Sequence, residues 1–182
     1  MVTKMVNFLL LSLRLYRRWL LTFPLFLFAS TLLAFEVQPA PETFIPSKDN
    51  TPILMLDNHG ERSYISRADI ELLPLYSMTL YHFKGIHGVF TGAWLKDLLS
   101  DQNIDEAATL RFIAHDDYSV FITSEDRHKR DYLLITRLNG EPLTLNDFGP
   151  TLLIVPAEAE AVQAGATDMT HWVWSIRDIF IQ

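Results

Sequence analysis

His82 and His87 flank Phe83-Lys84-Gly85-Ile86, and this is the first spacing along the chain that could do chemistry. Two imidazoles on a strand and its loop can hold a divalent metal when a carboxylate completes the set. No third ligand is close in sequence, so the plainer reading is a pair of surface or cleft polar residues. His171, beside Trp172, has the same standing. Ser124, His128 and Asp131 carry the residue types of a hydrolytic triad. Triad groups converge from separate elements onto one oxyanion site, which a single charged turn does not supply. Glu125-Asp126-Arg127-His128-Lys129-Arg130-Asp131 reads instead as a solvated turn whose ion pairs are worth little. Trp94, Trp172 and Trp174 could line a cleft, although aromatics in a small domain are more often core. The chain has no cysteine, which removes disulfides, thiolate metal ligands and cysteine nucleophiles together.

The elements that must position these residues are short. Ile53-Leu54-Met55-Leu56 reads as a strand closed by the turn residues Asp57-Asn58-His59-Gly60. Ser66-Arg67-Ala68-Asp69 has capping-box spacing, with Asp in place of Glu, and starts a short helix that Pro74 ends. Tyr76 to His82 alternates as a strand. Thr91 is the expected N-cap of a helix that buries Leu95, Leu98 and Leu99, with Phe90 and Leu95 forming a hydrophobic staple. Strands follow over Leu110 to His115 and Tyr118 to Thr123, joined by Asp116-Asp117, and another covers Tyr132 to Leu138.

Asn139-Gly140 favours a tight turn because both residues tolerate positive φ, and Gly149-Pro150 sets up the next strand. Leu152-Leu153-Ile154-Val155 has no polar face and should be covered on both sides. Ala157 to Thr170 is acidic and Ala-rich, a loop or a short surface helix. Trp172 to Ile181 closes the chain as a strand with Trp172, Trp174 and Ile176 on one face. Short strands with a few short helices define an α+β fold with a mixed or antiparallel sheet.

The chain has 182 residues, 49% of them hydrophobic, enough for one domain after a targeting segment. Residues 1–34 carry Lys4, Arg14, Arg17 and Arg18 and no acidic residue. The remaining 11 basic residues face all 22 acidic ones, a net charge of −11. Such a body repels nucleic acid and anionic membranes, so neither is an expected partner. Arg17-Arg18, the apolar run from Trp19 and the small residue Ala34 describe a secretory signal peptide, with an uncleaved anchor as the rival. Membrane contact is therefore expected only through an uncleaved N-terminus. Residues 35–50, with Pro39, Pro41 and Pro46, read as an extended leader, and 51–182 as a single domain.

Four of these segments share a pattern. Gly88-Val89-Phe90-Thr91-Gly92-Ala93-Trp94-Leu95-Lys96-Asp97-Leu98-Leu99 resembles the W-x-G-x-x-L-x-x-L-L segment of the sulfite-oxidase-type oxidoreductase molybdopterin-binding domain. Asp116-Asp117-Tyr118-Ser119 is similar to that family's Asp-Gly-Tyr-Ser, with Asp117 in place of glycine. Asn139-Gly140-Glu141-Pro142-Leu143 and Gly149 through Pro156 resemble its N-G-x-P-L and G-x-P-x-R-L-x-V-P, and Trp172 to Ile179 its closing strand. The resemblance spans Ile53 to Ile181 and implies the sulfite-oxidase-type molybdopterin-binding fold. Two positions depart from the family. Where it supplies a thiolate to molybdenum this chain has Thr79-Leu80-Tyr81-His82, with Leu80 nearest the place, and Leu152 replaces its pterin-side arginine.

The resemblance then implies a cleft bordered by Tyr81, His82, Lys84, His87, Asp116, Asp117 and Tyr118, with no catalytic residue, no metal ligand and no cofactor expected. Molybdopterin enters by family resemblance only. The expected function is that of an exported, non-catalytic module binding a small-molecule ligand or a periplasmic or inner-membrane protein partner, as a sensor or accessory. The alternative is a molybdopterin-dependent oxidoreductase that holds its cofactor without a cysteine, through Tyr81 or His82.

Overall fold

The computed structural model describes residues 36–81 and 85–182, so the expected signal segment, His82 and Lys84 lie outside the described residues. Within them, eleven strands form two sheets. The first sheet contains β1 (Gln38–Pro39), β4 (Leu75–Tyr81), β5 (His87–Trp94), β8 (Leu133–Leu138) and β10 (Leu152–Ile154) in that order, with β9 (Glu141–Pro142) also paired to β8. The second runs β3 (Glu61–Ser66), β2 (Pro52–Asn58), β11 (Ile176–Ile181), β6 (Leu110–Ala114) and β7 (Ser119–Ile122). Among the described residues the one parallel pairing joins β2 to β11; every other pairing is antiparallel. Four short helices complete the fold: α1 (Arg67–Ile70), α2 (Leu95–Asp101), α3 (Ser124–Lys129) and α4 (Ala159–Gln163). It is α+β with mostly antiparallel sheets, as the sequence pattern implies, and none of these helices is long and apolar enough to cross a membrane.

Alternation explains how the two sheets share one core. In the second sheet Leu54, Leu56, Ile65, Leu110, Phe112, Ile179 and Ile181 are buried, while their neighbours Met55, Tyr64, Ile113 and Asp178 face outward in one cross-strand row. The first sheet contributes Met78, Leu80 and Phe90 together with β8 and β10, whose apolar residues are nearly all inaccessible. Leu152, Leu153, Ile154 and Val155 are each 0% exposed, so the run without a polar face is covered on both sides.

Local chemistry sets the element ends. Ser66 Oγ accepts from the Asp69 N–H at 3.1 Å, and the Asp69 carboxylate accepts from the Ser66 N–H at 2.8 Å, closing the expected capping box. The Ser66 hydroxyl, which donates to the Asp69 carboxylate at 2.6 Å, and the Ser66 N–H together hold that carboxyl below the ordinary carboxylate range. Thr123 and Asp126 build a second box that starts α3. The Asn139-Gly140 turn has φ of 53° and 83°, the left-handed pair that a two-residue hairpin demands, and it joins β8 to β9.

Three expectations are corrected. Thr91 caps no helix. It lies buried inside β5 with its hydroxyl 2.8 Å from that of Ser77, and the helix begins at Leu95 without a side-chain cap. A central strand that hydrogen-bonds both β4 and β8 outweighs one cap, and no Phe90–Leu95 staple forms at a helix start there. The stretch Glu61–Ser66, to which the sequence pattern assigns no strand, is strand β3, paired to β2 across the His59-Gly60 turn. The last strand starts at Ile176, because Ser175 takes φ 52° and breaks the alternation proposed from Trp172.

The leader is extended and also fastened. Gln38 and Pro39 pair with β4, and the Ser47 N–H donates to Glu71 Oε2 at 2.6 Å. The Glu71 side chain is 0% exposed, and Arg137 grips it through Nε and Nη2 at 2.7 and 2.8 Å. Thr136 Oγ1 donates to the same carboxylate at 3.1 Å, and the Phe44 ring sits 5.0 Å from the guanidinium.

Removing one partner of a buried pair strands the other charge, at a cost of about 3–5 kcal/mol. Glu71→Ala should lose stability on that scale in urea unfolding followed by tryptophan fluorescence, and a loss of under about 1 kcal/mol would show that the clamp carries little. Gly92 lies where β5 meets β8, and a Cβ there would sit 1.9 Å from the Leu134 carbonyl oxygen. Gly92→Ala should therefore fail to give soluble, folded protein; a native-like melting curve for that variant would refute the close approach.

Candidate functional site

The β6–β7 connection holds three of the residues expected to border a cleft. Asp117 takes φ 63°, its N–H donates to the Ala114 carbonyl at 3.1 Å, and Asp116 Oδ1 accepts the Tyr118 N–H at 3.1 Å. A left-handed residue costs an ordinary side chain strain, which glycine escapes and aspartate tolerates best among the others. The turn aims Asp117 at the last strand, where Arg177 Nη1 donates to its Oδ1 at 3.2 Å. Arg177 Nε donates to Asp178 Oδ2 at 2.8 Å. The hydrogen bond to Asp178, with Asp117 adding to it, raises the guanidinium above its ordinary pKa and keeps it charged.

Tyr118 stacks against Trp174 with centroids 6.3 Å apart and planes 6° from parallel. Phe148 meets the same indole edge-on at 6.4 Å. Backbone bonds fix this shelf. The Ser175 N–H donates to the Phe148 carbonyl at 2.7 Å, and the His115 N–H to the Ser175 carbonyl at 2.8 Å. Arg177, bound to Asp117 of this turn, also lines a groove of about 580 Å³ together with His115, Tyr64, Thr144, Leu145 and Pro150 among others. Tyr64 is 63% and Leu145 61% exposed, so apolar contact area stands ready at its edge. The arrangement offers one cation between two carboxylates, one imidazole, hydroxyls and flat aromatic surface. These groups can bind a ligand.

Tyr81 and His87 form a second group on the other sheet. They are the last register partners before the connection between β4 and β5, and their rings stack at 4.5 Å. Neither they nor Asp116, Asp117 and Tyr118 line the groove beside Arg177, so the cleft expected from Tyr81 to Tyr118 is not brought together there among the described residues. The reason is topological: β4 and β5 belong to the first sheet and β6 and β7 to the second.

The weighed alternatives also have positions. His128 Nδ1 lies 2.6 Å from the Ser124 carbonyl rather than the hydroxyl, and Asp131 is bound to Lys96 at 2.9 Å, so these residues make no triad. His171 Nε2 is 3.6 Å from Asp126 Oδ1. Among the described residues no three His, Asp or Glu side chains converge as a metal site. Trp172 is core, 1% exposed, while Trp94 is half-buried against Tyr76. Sequence reasoning missed Arg177, Phe148 and Tyr64. The alternation of the last strand was the available signal for Arg177, and it was obscured by starting that strand four residues early.

Because Asp117 and Arg177 are solvent-exposed, their ion pair contributes little, and the backbone dominates at this position. Asp117→Ala should be less stable than Asp117→Gly by about 1 kcal/mol in chemical denaturation, since both lose the ion pair and only alanine is strained. Equal stabilities would contradict the left-handed turn. The sequence matches no known protein-family model and no curated protein.

Proposed function

We propose that this chain is an exported, non-catalytic binding module on a sulfite-oxidase-type molybdopterin-binding scaffold. It takes a small-molecule ligand or an extracytoplasmic protein partner at the groove beside Arg177. The observation that carries the reading is the groove itself, lined by a charged Arg177, His115 and the exposed Tyr64 and Leu145.

Several details favour the scaffold. Asp117 is left-handed at the position where the resembled family has glycine. Asn139-Gly140 turns into a paired arm, and the run after Gly149-Pro150 is buried. The residues present do not fit a thiolate-held molybdenum. Leu80, nearest to the expected ligand, is 1% exposed in the core, and Leu152, at the pterin-side arginine position, is 0% exposed. A leucine offers no lone pair to a soft metal and no charge to an anionic pterin.

Export follows from the basic, apolar segment before an acidic body, since the positive flank stays inside. Full-length protein recovered from cells should contain no stoichiometric molybdenum by elemental analysis and no pterin fluorescence after acid oxidation. Stoichiometric molybdenum would overturn the non-catalytic reading in favour of a cofactor held by Tyr81 or His82. In that case Tyr81→Phe or His82→Ala should lose the metal.

A further inference from the structure

A second groove lies between α2 and α3, sharing no lining residue with the groove beside Arg177. It encloses about 180 Å³, with Leu95, Leu99 and the Tyr132 ring as its apolar wall and Lys96, Arg127 and Glu106 among its polar residues. A neighbouring lobe of about 270 Å³ shares Lys96, Leu99, Glu106 and Arg127.

Two buried donors at this wall are unmet. Tyr132 is 3% exposed, and its hydroxyl has no hydrogen-bond partner. Arg127 Nη2 donates to the carbonyls of Glu106 and Ala108, while its Nε is buried and unpartnered. Arg127 also forms no ion pair among the described residues, and burial holds its guanidinium below its ordinary pKa, with the charges of Glu106 and Asp105 only partly opposing that shift. Its neighbours differ in this respect: Lys96 is bound to Asp131, and Arg130 to Glu158 and Asp126. An unsatisfied buried donor costs about 1–3 kcal/mol, so two at one groove need a reason.

The chemistry of the pair selects the occupant. Arginine donates only, and burial pushes the Tyr132 phenol above its ordinary pKa, so it remains a hydroxyl. Both groups therefore call for an acceptor. One unpaired guanidinium matches one negative charge, and a phosphate dianion would leave an excess charge beside Glu106. The small volume and the two leucines limit the rest of the molecule to a few apolar carbons. We propose that this groove binds a small monocarboxylate, whose oxygens accept from the Tyr132 hydroxyl and Arg127 Nε while its apolar body lies on Leu95 and Leu99.

The probe is isovalerate, with isovaleramide as its uncharged counterpart, titrated into the full-length chain in non-ionic detergent at neutral pH and followed by amide NMR shifts. Isovalerate should give saturable shifts at residues 95–99 and 127–132, and isovaleramide should not. Tyr132→Phe and Arg127→Gln should each weaken isovalerate by about tenfold or more. Tyr132→Phe deletes an unpaired hydroxyl and should fold at least as well as the parent, so it decides the matter even if Arg127→Gln does not fold. Absence of saturable shifts at millimolar isovalerate, equal binding of isovaleramide, or unchanged affinity in Tyr132→Phe would each overturn the assignment. None of these outcomes bears on the groove beside Arg177.

Discussion

A carboxylate without exposed surface must have its charge and its lone pairs met inside the protein, and Glu71 is that constraint here. Its partners come from two parts of the chain remote from it in sequence: Ser47 of the leader, and Thr136 and Arg137 of β8. Glu71 itself is the residue on which α1 ends. The four bonds therefore define where the leader lies, where β8 runs and how the α1 turn sits on the first sheet. Buried ion pairs are often no better for stability than well-packed apolar residues. Their directional bonds nonetheless accept fewer arrangements than a greasy contact would. In this chain that selectivity holds a Pro-containing segment that has little apolar surface of its own to bury.

The first sheet depends on a second constraint, the close passage of β5 and β8. Gly92 lets the two backbones approach at a register shift, and the shift lies between Thr91 and Gly92. Ser77 and Thr91 satisfy each other's hydroxyls inside the same sheet, so the buried polar atoms there cost little. The tight centre leaves Leu80 and Leu152 facing core. Residues on strands can serve a site only where a strand ends or its outward face is open. This is why the chemistry available to this protein collects on turns and helix flanks.

The sequence was most legible where a local rule has one outcome. Ser66 with Asp69, Asn139 with Gly140, and the unbroken apolar run from Leu152 to Val155 each specify a single conformation without help from distant residues. Thr91 shows the limit. It satisfies the local rule for an N-cap, and tertiary pairing on both sides of β5 overrides that rule. Glu71 was invisible because nothing adjacent marks it as buried, and its partners lie 24 and 65 or 66 residues away. Of the expected cleft residues, Asp117 reaches the groove only through its bond to Arg177, and Tyr81 with His87 lies on the other sheet. The resemblance grouped them, and the sequence by itself does not assign β4 and β7 to different sheets.

The two grooves differ in charge, and the difference bears on what each can hold. Arg177 is bound by both Asp117 and Asp178, so the groove beside it has no positive charge to spare. On a body of net charge −11 this favours a neutral or cationic group, held by the flat aromatic face and hydrogen bonds. Arg127 has only carbonyl partners, in a wall from which water is excluded. A cation so placed is worth more to an incoming anion than the paired surface cations, because low local dielectric strengthens the contact. An acidic protein can thus select an anion at one point while repelling anions generally. Specificity there comes from a single unpaired guanidinium and a hydroxyl that burial keeps protonated.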